Sequence, residues 1–179
     1  MNLHPSPQTP HLILGGARSG KSQYAESLLQ SLPPPYLYVA TAQALDGEMD
    51  ERIRLHRLRR AGSWKTHECP HELPKLLEEL EKDQKPVLVD CVTLWLSNLL
   101  APHSPFSPEA GLNALAERVS RVTYPLFLVS NEVGGGIVPD NPLARRFRDL
   151  AGKANQELAR ASRSVTLVVA GLPLPLKHP

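Results

Sequence analysis

The sequence predicts an α/β fold, a mostly parallel central sheet flanked by helices. Three observations predict it. Short apolar runs alternate with segments whose apolar residues recur at helical spacing, the pattern of strands joined by crossover helices. A chain of 179 residues with 41% hydrophobic residues fits one sizeable core. Prolines stand at the starts of several helical segments, where a missing N–H costs nothing. The expected organisation is a disordered extension over residues 1–10 and a single domain over 11–179. The extension, Met-Asn-Leu-His-Pro-Ser-Pro-Gln-Thr-Pro, has too few apolar residues to offset the entropy of ordering.

The elements follow in order. His11-Leu12-Ile13-Leu14 is the first strand and ends at Gly15. A helix starts near Lys21 with Ala25, Leu28, Leu29 and Leu32 on one face, and Pro33-Pro34-Pro35 stops it. Tyr36 to Ala40 is the second strand. Val87-Leu88-Val89, ending in Asp90, is the third. Leu126 to Val129 and Val165 to Ala170 supply a fourth and a fifth. Pro74, Pro108 and Pro142 mark helix starts, with Ser107 and Asn141 as N-caps. The last helix runs from Pro142 to Ser162, with Leu143, Phe147, Leu150, Ala151, Ala154, Leu158 and Ala161 on its apolar face. Gly134-Gly135-Gly136 is a flexible loop and not a linker.

Composition excludes several classes. A net charge of +2 gives no global argument for nucleic acid or an anionic membrane. No run approaches the roughly 20 apolar residues that span a bilayer, so membrane insertion is not expected. The first ten residues lack an apolar signal core, so the expected location is cytoplasmic. Cys69 and Cys91 form no C-x-x-C pair and suggest no disulfide framework, and Cys91 reads as a small buried hydrophobe. Eighteen prolines, many in loops, point to thermostability.

The chemistry starts at Gly15-Gly16-Ala17-Arg18-Ser19-Gly20-Lys21-Ser22, which fits G-x-x-x-x-G-K-[ST] between a predicted strand and a predicted helix. Glycines let backbone N–H groups converge on phosphate oxygens, and the helix N-terminus adds its dipole. Lys21 then reaches the β- and γ-phosphates, and the Ser22 hydroxyl ligates Mg²⁺. The expected class is therefore P-loop NTPase-like. Asp90, at the end of a buried strand, is the candidate acid that holds Mg²⁺ directly or through water. Its alternative is the N-cap of the following helix.

Residues 46–60 read as a helix on which Arg52, His56, Arg59 and Arg60 share a cationic face. Nearby positive charge disfavours the imidazolium, so His56 is expected neutral and nucleophilic. Next to a phosphate loop, such a histidine suggests a covalent phospho- or nucleotidyl-histidine. The residues alone favour a solvated basic face instead. His4, His11, His67, His71, His103 and His178 lack metal-ligand spacing, so no zinc site is expected.

Together these segments resemble the bifunctional adenosylcobinamide kinase / adenosylcobinamide-phosphate guanylyltransferase family of cobalamin biosynthesis. The matching stretches are residues 15–22, Tyr-Val-Ala-Thr-Ala-Gln (38–43), Asp-Glu-Arg-Ile-Arg-Leu-His-Arg (50–57) and Trp64-Lys65-Thr66-His67-Glu68. They continue with Asp90, Asn-Glu-Val-Gly-Gly-Gly-Ile-Val-Pro (131–139), Arg146 to Gly152, and Asn155-Gln156. The resemblance covers nearly all of the chain after residue 10. It implies phosphorylation of adenosylcobinamide by ATP or GTP, then transfer of GMP from GTP to the product. It places a guanylyl-phosphoramidate on His56 and implies a homo-oligomer, a trimer. It implies GTP contacts at Gly15 to Ser22, at Ala40, Thr41 and Ala42, at Arg57, Leu58, Arg59 and Arg60, and at Glu68 and Asp90. The family often has Thr-Ser-Gln where this chain has Thr41-Ala42-Gln43, so a serine side-chain contact is absent here. Glu68 has a guanine edge, an arginine or plain solvent as its alternatives. Glu132 could activate a hydroxyl or hold a metal-bound water. Arg146, Arg148 and Asp149 suit an ion-paired helix face. Two other readings stand beside this one: a P-loop small-molecule kinase without a covalent step, and a nucleotide-dependent switch. The missing N-K-x-D signal counts against the switch.

Overall fold

The computed structural model describes residues 8–43, 62–102 and 104–178. His56 and the basic stretch around it, including Arg57 to Arg60, lie outside the described residues, as do residues 1–7.

Among the described residues, seven strands form one sheet. They are β1 (His11–Gly15), β2 (Tyr36–Ala40), β3 (Trp64–Glu68), β4 (Val87–Asp90), β5 (Leu126–Asn131), β6 (Ser164–Val169) and β7 (Leu172–Lys177), in the order β3-β2-β4-β5-β1-β6-β7. All pairings are parallel except that of β6 with β7. The helices are α1 (Lys21–Gln30), α2 (Leu73–Glu79, continued by a 3₁₀ turn over Leu80–Asp83), α3 (Val92–Leu99), α4 (Pro108–Arg121) and α5 (Pro142–Ala161). A parallel sheet buried on both faces needs near-continuous apolar strands, and β1, β4 and β5 have them. Alternate residues feed two cores. Leu12 and Leu14 share a core with α2, α3, α4 and α5 through Leu77, Trp95, Leu96, Leu112 and Leu158. Ile13 points the other way, onto Ala25 and Leu29 of α1.

The expected caps form. Ser107 Oγ accepts from the Ala110 N–H at 3.2 Å, and Asn141 Oδ1 accepts from the N–H groups of Leu143 and Ala144. Pro108 and Pro142 open α4 and α5, whereas Pro74 takes the second position of α2 because Leu73 precedes it in the helix. Two placements differ from expectation. Leu32 lies beyond the end of α1, and Leu143 is half-exposed on the first turn of α5 rather than in the core. Order also reaches back to Pro10, which is buried and whose carbonyl accepts from the N–H groups of Arg163 and Ser164.

The sequence pattern did not reveal two strands. β3 is short, half polar and lies at one edge of the sheet, so no apolar run marks it. β7 reads Leu-Pro-Leu-Pro-Leu-Lys, and proline argues against a strand interior. It is tolerated here because β7 is the other edge. Lys177 closes this strand by donating to the Ala159, Arg160 and Ser162 carbonyls at the end of α5.

Candidate nucleotide site

The carboxyl ends of the parallel strands bring the candidate residues together. Residues 16–20 join β1 to α1, and two close approaches fix their path. A Cβ on Gly15 would lie 2.4 Å from Ser19 Oγ and 2.6 Å from the Val168 carbonyl, so nothing larger fits between β1 and β6. Gly20 has φ near 93°, a conformation open to glycine, and its Cα faces Gly171 of the β6–β7 turn. That turn, Ala170-Gly171, has positive φ at both positions, as a type I′ two-residue hairpin turn requires. The Gly171 N–H donates to the Ser19 carbonyl at 2.8 Å, so the C-terminal hairpin buttresses the loop.

Lys21 is buried at the first position of α1, and its Nζ donates to the Gly16 carbonyl at 3.0 Å. Its ammonium is held over the loop and not in open solvent. Ser19 Oγ is buried and has no partner among the described residues, a polar group that a phosphate oxygen can satisfy. The Ser22 hydroxyl donates to Asp90 Oδ1 at 3.4 Å, and the Tyr38 hydroxyl donates to Asp90 Oδ2 at 3.2 Å. The alternative role for Asp90 is overturned: the residue at the N-cap of α3 is Cys91, with no side-chain cap bond. Only β5 separates β4, which ends in Asp90, from β1, whose loop leads to Ser22, so the two residues meet although they are 68 positions apart.

The segment after β2 is tied to the same point. The Thr41 hydroxyl is buried, donates to the Cys91 carbonyl and accepts from the Cys91 N–H, both at 2.8 Å. Asn98 Nδ2 donates to the Thr41 and Pro70 carbonyls, pinning the exits of β2 and β3 to α3. Ala40 is in register with both Asp90 and Glu68. Glu68 is nevertheless four strands from β1, about 19 Å at roughly 4.8 Å per strand, which excludes contact with phosphates held by the loop.

Behind the site runs a buried polar chain. Cys91 Sγ meets Thr93 Oγ1, which accepts from Asn131 Nδ2 at 2.9 Å. The Asn131 carbonyl accepts from Asn155 Nδ2 at 3.1 Å, and Asn155 Oδ1 accepts from Ser130 Oγ at 2.7 Å. Burial, reinforced by the Asp90 charge, pushes the Cys91 thiol up to about 11, so it stays protonated and unreactive. The Glu132 N–H donates to the Gly15 carbonyl at 3.0 Å, whereas its carboxylate turns back to accept from the Gly134 N–H. Arg146 reaches Glu109 of α4 at 3.3 Å, and Arg148 lies 4.0 Å from Asp149, an ion-paired surface.

The family described as cobinamide kinase / cobinamide phosphate guanyltransferase matches residues 11–176. The bifunctional adenosylcobalamin biosynthesis protein CobP of Pseudomonas aeruginosa is 47% identical over 166 residues, covering 93% of this chain and 96% of that protein. The CobU proteins of Salmonella typhimurium and Escherichia coli, described in the same words, are 42% and 41% identical over 93% of this chain and 98% of each. The chain belongs to the cobinamide kinase / cobinamide phosphate guanyltransferase family.

Among solved structures, an ATPase of the type III secretion system of pathogenic bacteria shares the fold with a TM-score of 0.55 at 14% identity. The match covers 92% of this chain and 56% of that one. A protein of Pyrococcus horikoshii OT3 matches with a TM-score of 0.54 at 10% identity, over 94% of this chain and 85% of that one. Both likenesses show a shared fold and no more. Among the described residues, the candidate site brings together the loop 15–22, Asp90 and the Thr41 segment. The sequence marks Tyr38 only as part of the stretch 38–43 and does not mark Thr93. A tyrosine hydroxyl or threonine on a buried apolar segment is the available signal, since each needs a polar partner.

Proposed function

We propose that this protein phosphorylates adenosylcobinamide with a nucleoside triphosphate and then transfers GMP from GTP to the resulting phosphate, releasing pyrophosphate and forming adenosylcobinamide-GDP. The observation that carries this reading is the Lys21–Ser22 loop closed against Asp90, inside a chain of this family. ATP and GTP are the candidate donors for the first step. The second step requires GTP.

The loop N–H groups and the ammonium of Lys21 bind and orient the triphosphate, offsetting negative charge on the oxygens of the transferring phosphoryl group. A hydroxyl and a carboxylate 3.4 Å apart form a hard-oxygen donor set that fits Mg²⁺ with water completing the shell. Ser22 and Asp90 would hold that ion, which when bound neutralises phosphate charge. Tyr38 restrains the far oxygen of Asp90 and fixes its orientation. Ala40, Thr41 and Ala42 stand beside Asp90, and Glu68 stands further along the sheet, where its distance from β1 suits the base or an arginine rather than a phosphate.

His56 is the proposed covalent relay. Its nitrogen attacks the α-phosphorus of GTP and pyrophosphate leaves, giving a phosphoramidate. A phosphate oxygen of the acceptor then attacks the same phosphorus, forms the diphosphate linkage and frees the imidazole. Arg57, Leu58, Arg59 and Arg60 flank it, and the arginines supply positive charge. A cytoplasmic, homo-oligomeric and trimeric enzyme accompanies this reading. Exposed Leu172, Leu174 and Leu176 on β7 support the association, since a contiguous apolar face needs covering. Sedimentation as a monomer would remove that part.

The test is labelling with α-labelled GTP and Mg²⁺, followed by denaturation. Wild type is expected to carry acid-labile, alkali-stable label, and His56→Ala and Lys21→Ala to carry less than about 1% of it, a loss on the scale of removing a nucleophile. Equal label on His56→Ala rejects the relay. γ-Label on cobinamide without any guanylylated product favours the plain kinase.

A further inference from the structure

A recess lies between α2, α3 and α4, separate from the phosphate loop. Its volume is about 280 Å³. Its floor is the fully buried Trp95 ring, whose Nε1–H already donates to the His71 carbonyl at 2.5 Å and so asks nothing of a ligand. Its mouth is flanked by Phe106, 38% exposed and stacked on the His71 ring with centroids 5.2 Å apart and planes 15° from parallel. The rim carries Glu72, Lys75 and Ser107, donors and acceptors in a ring around an aromatic floor.

Its position decides what it serves. His71 and Glu72 follow the carboxyl end of β3, and Trp95 lies on the first turn of α3, about 5 Å along the axis from Val92, which follows Asp90 and Cys91. Part of the recess wall, at His71, Glu72 and Trp95, therefore stands at the end of the sheet where ligands of α/β folds bind, and none of Gly15 to Ser22 lines it. Phosphates held by Gly15 to Ser22 leave it free for a second molecule. A flat apolar wall with polar groups at its edge fits an apolar body fringed with amides, and fits a fully charged phosphate poorly, because Glu72 shares the rim and pairs with Lys75 at 3.6 Å.

We propose that this recess is the acceptor site. It would take the corrinoid through a methyl-bearing ring edge laid on Phe106 and Trp95, with peripheral amide arms meeting Glu72, Lys75 and Ser107. This rests on the function proposed above.

Cobinamide is coloured, so equilibrium dialysis read by absorbance measures its binding directly, without turnover. The variants are Phe106→Ala and Lys75→Glu. Both side chains are exposed enough for the fold to survive their loss, and thermal melts within a few degrees of wild type check this. The expected result is a Kd for cobinamide raised about tenfold by Phe106→Ala and several-fold by Lys75→Glu, with the Kd for GTP unchanged. In steady state the same variants raise KM for cobinamide and leave kcat within about twofold. Wild-type binding with both variants unchanged overturns the acceptor site and leaves the activity standing. No cobinamide binding by wild type overturns the corrinoid reading itself, and the acceptor site with it.

Discussion

Asn155→Ala tests whether the polar chain behind the site holds the end of β5. Asn155 is buried on α5. Its amide nitrogen donates to the Asn131 carbonyl at 3.1 Å, and its carbonyl oxygen accepts from Ser130 Oγ at 2.7 Å. The methyl of alanine reaches neither. Two hydrogen bonds are worth about 1 kcal/mol each, and the fully buried Ser130 hydroxyl, left without its acceptor, adds a desolvation cost of similar size, giving about 2–4 kcal/mol in all. At about 2–4 °C per kcal/mol for a domain of this length, Tm falls on the order of 10 °C. The assay is urea unfolding of wild type, Asn155→Ala, Ser130→Ala and the double variant. Because the two residues share a bond, the cycle is expected to show a coupling of about 1 kcal/mol. The Glu132 N–H extends the same strand end onto Gly15, so the KM for nucleotide is also expected to rise. A cost below 1 kcal/mol, or full additivity with Ser130→Ala, would refute the reasoning.

Two further outcomes follow from the structure. Burial first, and then the charge of His178, lower His11 to about 4, while its Nε2 is bonded to Thr166 Oγ1. A depressed histidine favours the folded state above its unfolded pKa of about 6.5. That stability, on the order of 3 kcal/mol, is lost as pH falls from 6.5 toward 4. Urea midpoints across that window should therefore fall more steeply for wild type than for His11→Gln, and parallel slopes would reject the account. Substituting Leu172→Ser and Leu174→Ser together should shift the proposed trimer toward monomer in sedimentation velocity at micromolar concentration, with the melting of the monomer little changed. An unaltered sedimentation coefficient places the interface elsewhere.

The sequence alone determined the elements whose signals are local. The apolar runs of β1, β2, β4, β5 and β6 are nearly continuous because a parallel sheet is buried on both faces. Ser107 and Asn141 capped the helices they precede, since a cap bond closes within three residues. The phosphate loop was legible for the same reason: its glycines, lysine and serine are contiguous. Only the tertiary structure decided which strands lie side by side, and with them that Asp90 meets Ser22 rather than capping α3. It also decided that an edge position admits the prolines of β7, that the hairpin behind them braces Gly20, and that Asn155 reaches across to β5. These contacts join residues tens of positions apart, and no periodicity along the chain encodes distance between strands. His56 was singled out by its basic helical spacing and by the family resemblance, and it lies outside the described residues. The physical reason for the division is that local signals come from backbone geometry and burial pattern, whereas a site is assembled by which strand ends the sheet order places together.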